Sequence, residues 1–164
     1  MSVIAYVVDT NYLCELFKVG GKCSYAGHAE VKSRFKKGVQ AKARFYVPLP
    51  CIFELGNHIA QISKGDSRKK IAKALCAVVK TSIEGNGPWI IKPSEDIHNT
   101  ISRLCDVFSQ DFVQQQIGLT DSFAISEASH LKKKYKNDYK VHIWTTDSSL
   151  KSREPDKEPN PYTG

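Results

Sequence analysis

The chain has 164 residues, 41% hydrophobic and 25% charged, with 24 Lys and Arg against 17 Asp and Glu for a net charge of +7. That suits one soluble domain with a sizeable core, and no apolar run approaches the roughly 18 residues of a membrane-spanning helix. The basic excess favours an anionic partner, nucleic acid above all.

The five cysteines (Cys14, Cys23, Cys51, Cys76, Cys105) are scattered, with no C-x-x-C pair, which argues against a zinc ribbon or a redox motif. Free thiols in a reducing cytoplasm are expected. The start has no basic segment leading into a long apolar one, so no secretory signal is expected.

Residues Val3 to Val8 are apolar without alternation, the pattern of a strand buried on both faces. Asp9-Thr10-Asn11 follows at once, and a helical pattern begins at Tyr12. A carboxylate at the exit of a parallel strand stands where ligands bind in such sheets. The competing explanation is that Asp9 or Thr10 only caps the next helix. That helix carries Leu13, Leu16 and Phe17 and is expected to end at Gly20-Gly21. Gly21-Lys22 is not a phosphate loop, because Leu16 and Cys23 stand where Gly and Ser or Thr are required.

A basic helix is expected between Tyr25 and Ala43, with Val31, Phe35 and Val39 spaced by four. A solvated face explains its lysines as well as phosphate contact does. Phe45 to Leu49 reads as a strand closed by proline. A helix then opens at Pro50 and runs to about Ser63, with Ile52, Leu55, Ile59 and Ile62 as its apolar stripe and Glu54 in its first turn. Ser67 begins another helix bearing Ile71, Leu75, Val78, Val79 and Ile83. Asn86-Gly87-Pro88 is a turn into a short strand, Trp89 to Ile91. Pro93-Ser94 opens a helix with Ile97, Ile101, Leu104, Cys105, Phe108 and Phe112 on one face. In Gly118-Leu119-Thr120-Asp121, Thr120 is the expected cap of a helix continued by Ala124, Ala128, Leu131 and Tyr135. Val141 to Thr146 is a last strand, ending at Asp147. Residues 151–164, with Pro155, Pro159 and Pro161 among charges, form an irregular tail behind a single domain at 1–150.

Strands alternating with helices predict an α/β fold with a parallel sheet covered on both faces. Asp9 and Asp147 each leave a strand, Glu54 and Asp121 each sit early in a helix that starts at the carboxyl edge, and all four acids should therefore share one rim. Singly, helix dipoles and polar strand ends account for them. Together they repel one another, and a divalent cation removes that cost. Carboxylates suit Mg²⁺ or Mn²⁺, one ion or two. The chemistry expected of such a site is hydrolysis of a phosphodiester. Thr10 and Asn11 would hold Asp9 by hydrogen bonds, with Thr145 as a further support.

With these motifs in this order (Val7-Val8-Asp9-Thr10-Asn11, Phe53-Glu54-Leu55, Gly118-Leu119-Thr120-Asp121-Ser122, Thr145-Thr146-Asp147) the chain resembles the PIN-domain ribonucleases, including toxins of type II toxin–antitoxin modules. The resemblance implies a three-layer α/β/α sandwich with a central parallel sheet of four or five strands and Mg²⁺- or Mn²⁺-dependent cleavage of RNA. It also implies frequent homodimers and, for the toxins, an antitoxin partner. Asp9, Glu54 and Asp121 match the core acids and Asp147 the more variable fourth. The segment between Lys18 and Phe45 is long beside compact toxins. The alternative is a PIN-like module that binds RNA or protein without cutting it.

Overall fold

A computed structural model of the chain describes residues 1–93 and 95–164. The element order is β1 (Val3–Val8), α1 (Thr10–Leu16), α2 (Tyr25–Gln40), β2 (Arg44–Tyr46), α3 (Leu49–Ala60), α4 (Gly65–Ile83), β3 (Trp89–Ile90), α5 (Ile97–Val107), α6 (Leu119–Tyr135), β4 (Tyr139–Trp144) and α7 (Ser148–Lys151). A five-residue π turn, Phe108–Phe112, follows α5. The four strands form one all-parallel sheet in the order β3-β2-β1-β4. The fold is α/β, with helices on both faces of that sheet, as the alternating pattern predicts.

The two faces follow from the pleat of β1. Val8 joins Leu13 of α1, Val31 and Phe35 of α2, Leu55 and Ile59 of α3 and Leu75 of α4 in one buried cluster. Ala5 and Val7 point the other way, against Ala124, Ala128 and Leu131 of α6. Trp144 anchors the first cluster, 3.9 Å between ring centroids from Tyr6 and 5.0 Å edge-on from Phe35. Close approach of α2 depends on Gly38, where a Cβ would stand 2.6 Å from Phe45 Cζ.

Strand order creates a crevice. From β1 the chain moves outward through β2 to β3, then returns across the sheet to lay β4 on β1's other side. Connections diverge at the carboxyl ends of β1 and β4, the position where open α/β sheets hold ligands.

Several local expectations are corrected. Helix α1 starts at Thr10 and stops at Leu16, short of Gly20, because Phe17 and Lys18 close it and Lys18 turns left-handed at φ 54°. Helix α4 begins at Gly65 rather than Ser67. Gly118, not Thr120, is the N-cap of α6. Ser94 lies outside the described residues; α5 is opened by Asp96, which accepts from the Asn99 amide at 2.9 Å. Val39 and Ile83 lie on the surface although their spacing suggested burial. So does Ile101, which lines an open apolar groove with Leu49, Phe53 and Leu119.

The tail beyond Lys151 is irregular, yet it is packed rather than disordered. Asp156 accepts from Val141 N at 2.8 Å and its own amide donates to Val141 O at 3.1 Å. Glu154 accepts from Ile143 N at 3.1 Å, while Lys151 Nζ donates to Ile143 O at 2.9 Å. These groups occupy the outer edge of β4 much as a fifth strand would, which closes it to pairing with another chain. Lys151 is buried between Glu154 (2.7 Å) and Glu158 (2.6 Å), and Glu158 also accepts from Trp144 Nε1 at 3.0 Å. Burying one cation against two carboxylates is tolerable because every partner is hydrogen-bonded. The proline-rich composition hides these long-range bonds.

Candidate active site

Four segments deliver Asp9, Glu54, Asp121 and Asp147 to the wall of one cavity of about 190 Å³ at the carboxyl edge of the sheet. Asp9 comes directly off β1 and is 4% exposed. Although it stands at the N-cap of α1, its side chain makes no capping bond there. The helix-cap explanation therefore does not account for it. Glu54 lies in the second turn of α3 rather than the first, since that helix begins at Leu49. It still reaches the rim because helical side chains tilt back toward the N-terminus. Asp121 is in the first turn of α6. Asp147 is exposed and caps α7, its Oδ1 accepting from Ser149 N at 2.8 Å and Leu150 N at 3.1 Å. Its ordinary structural role is thus on display, unlike that of Asp9.

The supporting bonds differ from those expected. Thr145 Oγ1 donates to Asp9 Oδ2 at 2.9 Å and accepts from Asn11 Nδ2 and from the Asp147 amide, both at 3.0 Å. Asn11 Oδ1 in turn accepts from Thr146 N at 3.0 Å. Asn11 therefore steadies Asp9 through Thr145, not by direct contact. The Thr10 hydroxyl donates to Glu54 Oε2 at 2.7 Å, while its backbone amide serves Asp9. One residue next to β1 thus orients two of the acids.

Electrostatics match the crowding. Burial raises the Asp9 carboxyl from 3.8 to about 6; the bonds from Thr145 and Thr10 oppose that rise, and the charges of Asp121 and Glu54 add to it. Burial also raises Asp121, followed by the charges of Asp147 and Glu54. The acids sense one another across the cavity.

No family model and no curated protein matches the chain. The site is therefore read from its own chemistry. Carboxylate oxygens, one of them buried and hard to ionise without a counter-charge, form a donor set that fits Mg²⁺ or Mn²⁺. Among the described residues, however, no three His, Cys, Asp or Glu side chains stand close enough together to form a ready-made metal cage. Such ions are commonly held by only one or two carboxylates, the remaining positions being filled by water and substrate phosphate, so a wide rim of acids remains compatible with one.

Three residues of the cavity, Cys14, Lys22 and His58, carried no sequence expectation as site groups. His58 lies one turn after Glu54, its Nε2 3.9 Å from Glu54 Oε1. The Glu-x-x-x-His spacing on α3 was the available signal. Lys22 also lines the cavity, brought in by the loop after α1, and its sequence neighbourhood offers no comparable sign.

Proposed function

We propose that this protein is a divalent-cation-dependent endoribonuclease of the PIN-domain kind, with Asp9, Glu54 and Asp121 as the core acids and Asp147 as an accessory one. The observation that carries this reading is the meeting of acids from four distant segments around one cavity, with Asp9 buried among them. The net charge of +7 and the position at the diverging strand ends support it further.

In this reading a bound Mg²⁺ or Mn²⁺ supplies Lewis acidity toward the phosphate and makes water a better nucleophile. Asp9 would be the fixed ligand, its orientation set by Thr145 and the Thr10 amide. Glu54 is turned inward by the Thr10 hydroxyl. Asp121, partly exposed on the same rim, would be a further ligand, and a rim carboxylate not engaged by the ion would take the proton of the attacking water as the phosphorus–oxygen bond to the leaving strand breaks. Lys22 contributes a positive charge beside the phosphate. A homodimer, an antitoxin partner and a cytoplasmic setting belong to this reading through the resemblance alone.

The second reading is a silent PIN-like module that binds RNA or protein. It draws on the absence, among the described residues, of three preassembled metal-ligating side chains. Incubation of the protein with single-stranded and structured RNA, with Mg²⁺ or Mn²⁺ and with EDTA, separates the two. Cleavage that needs the cation and disappears in Asp9→Asn supports the nuclease. Binding without cleavage under every cation condition supports the silent module.

A further inference from the structure

A second cavity, of about 610 Å³, lies where the exits of α1 and α3 meet the first half of α4. Along α3 and its exit, Glu54 and His58 face the first cavity, and Ile62, Ser63 and Lys64 face the second. Along α1 and its exit, Cys14 faces the first, and Leu16, Phe17 and Lys18 the second. The eight steps from Glu54 to Ile62, helical as far as Ala60, span roughly 12 Å at about 1.5 Å each. That is about three to four stacked nucleotides at about 3.4 Å each.

The chemistry of this cleft is unlike that of its neighbour. Its floor is apolar, made by Leu16, Phe17, Ile62 and Ile71, while Lys18, Lys64 and Lys70 stand at its lip. No carboxylate is among its lining residues. Phe17 packs edge-on against the buried Trp89, with ring centroids 5.9 Å apart and planes at 72°. Cations around an apolar floor complement a chain of phosphates bearing unpaired bases. A duplex would keep its bases stacked away from such a floor.

We propose that this cleft binds the single-stranded RNA flanking the cleaved bond, with Lys18, Lys64 and Lys70 on its phosphates and a base on the Leu16–Phe17–Ile71 floor. The placement next to the scissile phosphate rests on the nuclease reading; the binding itself does not.

The test is fluorescence anisotropy of a labelled single-stranded oligoribonucleotide with the full chain in EDTA, across a salt series. Lys64→Glu with Lys70→Glu should weaken binding at least tenfold and lower the salt slope by about 1.4, since each single-strand phosphate contact contributes about 0.7. Lys133→Glu with Lys134→Glu, on the exposed far end of α6, changes net charge equally and should have a much smaller effect. Equal loss in both variants, or none in the first, overturns the proposal. Loss confined to the first supports it. Cation-dependent cleavage by the wild type is scored separately, so a failed nuclease and a failed cleft give different results.

Discussion

Thr145 and Asp9 are joined by a 2.9 Å hydrogen bond from the hydroxyl at the end of β4 to the carboxylate at the end of β1. Because that hydroxyl also accepts from Asn11 and from the Asp147 amide, it ties together two of the four segments that reach the cavity. Thr145→Val keeps the shape and removes the oxygen, leaving two donors without a partner. The expected cost is about 2–4 kcal/mol, or a fall in Tm of roughly 5–12 °C. Thr145→Ser should restore most of it. Thermal melts of the three proteins check this, and equal melting of the Val variant and the wild type would remove Thr145 from its positioning role.

Asp9 makes the metal-free fold sensitive to pH. Its folded pKa of about 6 lies above the ordinary 3.8, so the native state holds the proton more tightly than the unfolded chain does. The contribution is full below pH 3.8 and is lost as pH rises through about 6. Roughly two pKa units correspond to about 3 kcal/mol as an upper figure. Asp9→Asn should therefore melt higher than wild type near pH 7 in EDTA, by up to that amount. The gain should vanish in acid. Melts over a pH series measure it, and a pH-independent difference would contradict the assignment.

A divalent cation should reverse that destabilisation. At a concentration about a hundredfold above its Kd, Mn²⁺ would stabilise the wild type by about 2.7 kcal/mol. Asp121→Asn should lose most of this shift while keeping its fold in EDTA, since the side chain is partly exposed and an Asn oxygen can still accept from the Gly118 amide. A titration in which the variant responds as the wild type does would exclude Asp121 as a ligand.

Removal of residues 152–164 should expose the edge of β4. The chain would lose Glu154, Asp156 and Glu158, which hold Val141 N, Ile143 N and Lys151. Light scattering should then show aggregation. Glu154→Gln with Glu158→Gln, which leaves buried Lys151 without a counter-charge, should cost about 3–5 kcal/mol. A soluble, normally melting truncation would show that the tail is dispensable.

The sequence by itself determined the class of fold and the edge of the sheet at which the acids lie. An unbroken apolar run marks Val3–Val8, helical spacing marks the stripe Ile52-Leu55-Ile59-Ile62, and alternation of the two makes the sheet parallel. These signals are local, repeating every two or about four residues, and need no knowledge of the partner. Only the tertiary structure decided that Thr10 would turn to Glu54, that His58 and Lys22 would enter the cavity, and that the tail would seal β4. With the Asp9–Thr145 bond, those outcomes join residues as many as 136 positions apart, where the hydrogen-bond partner is selected by proximity after the strands have aligned. No periodicity records such a choice, because a carboxylate accepts from whichever donor the packed fold brings within reach.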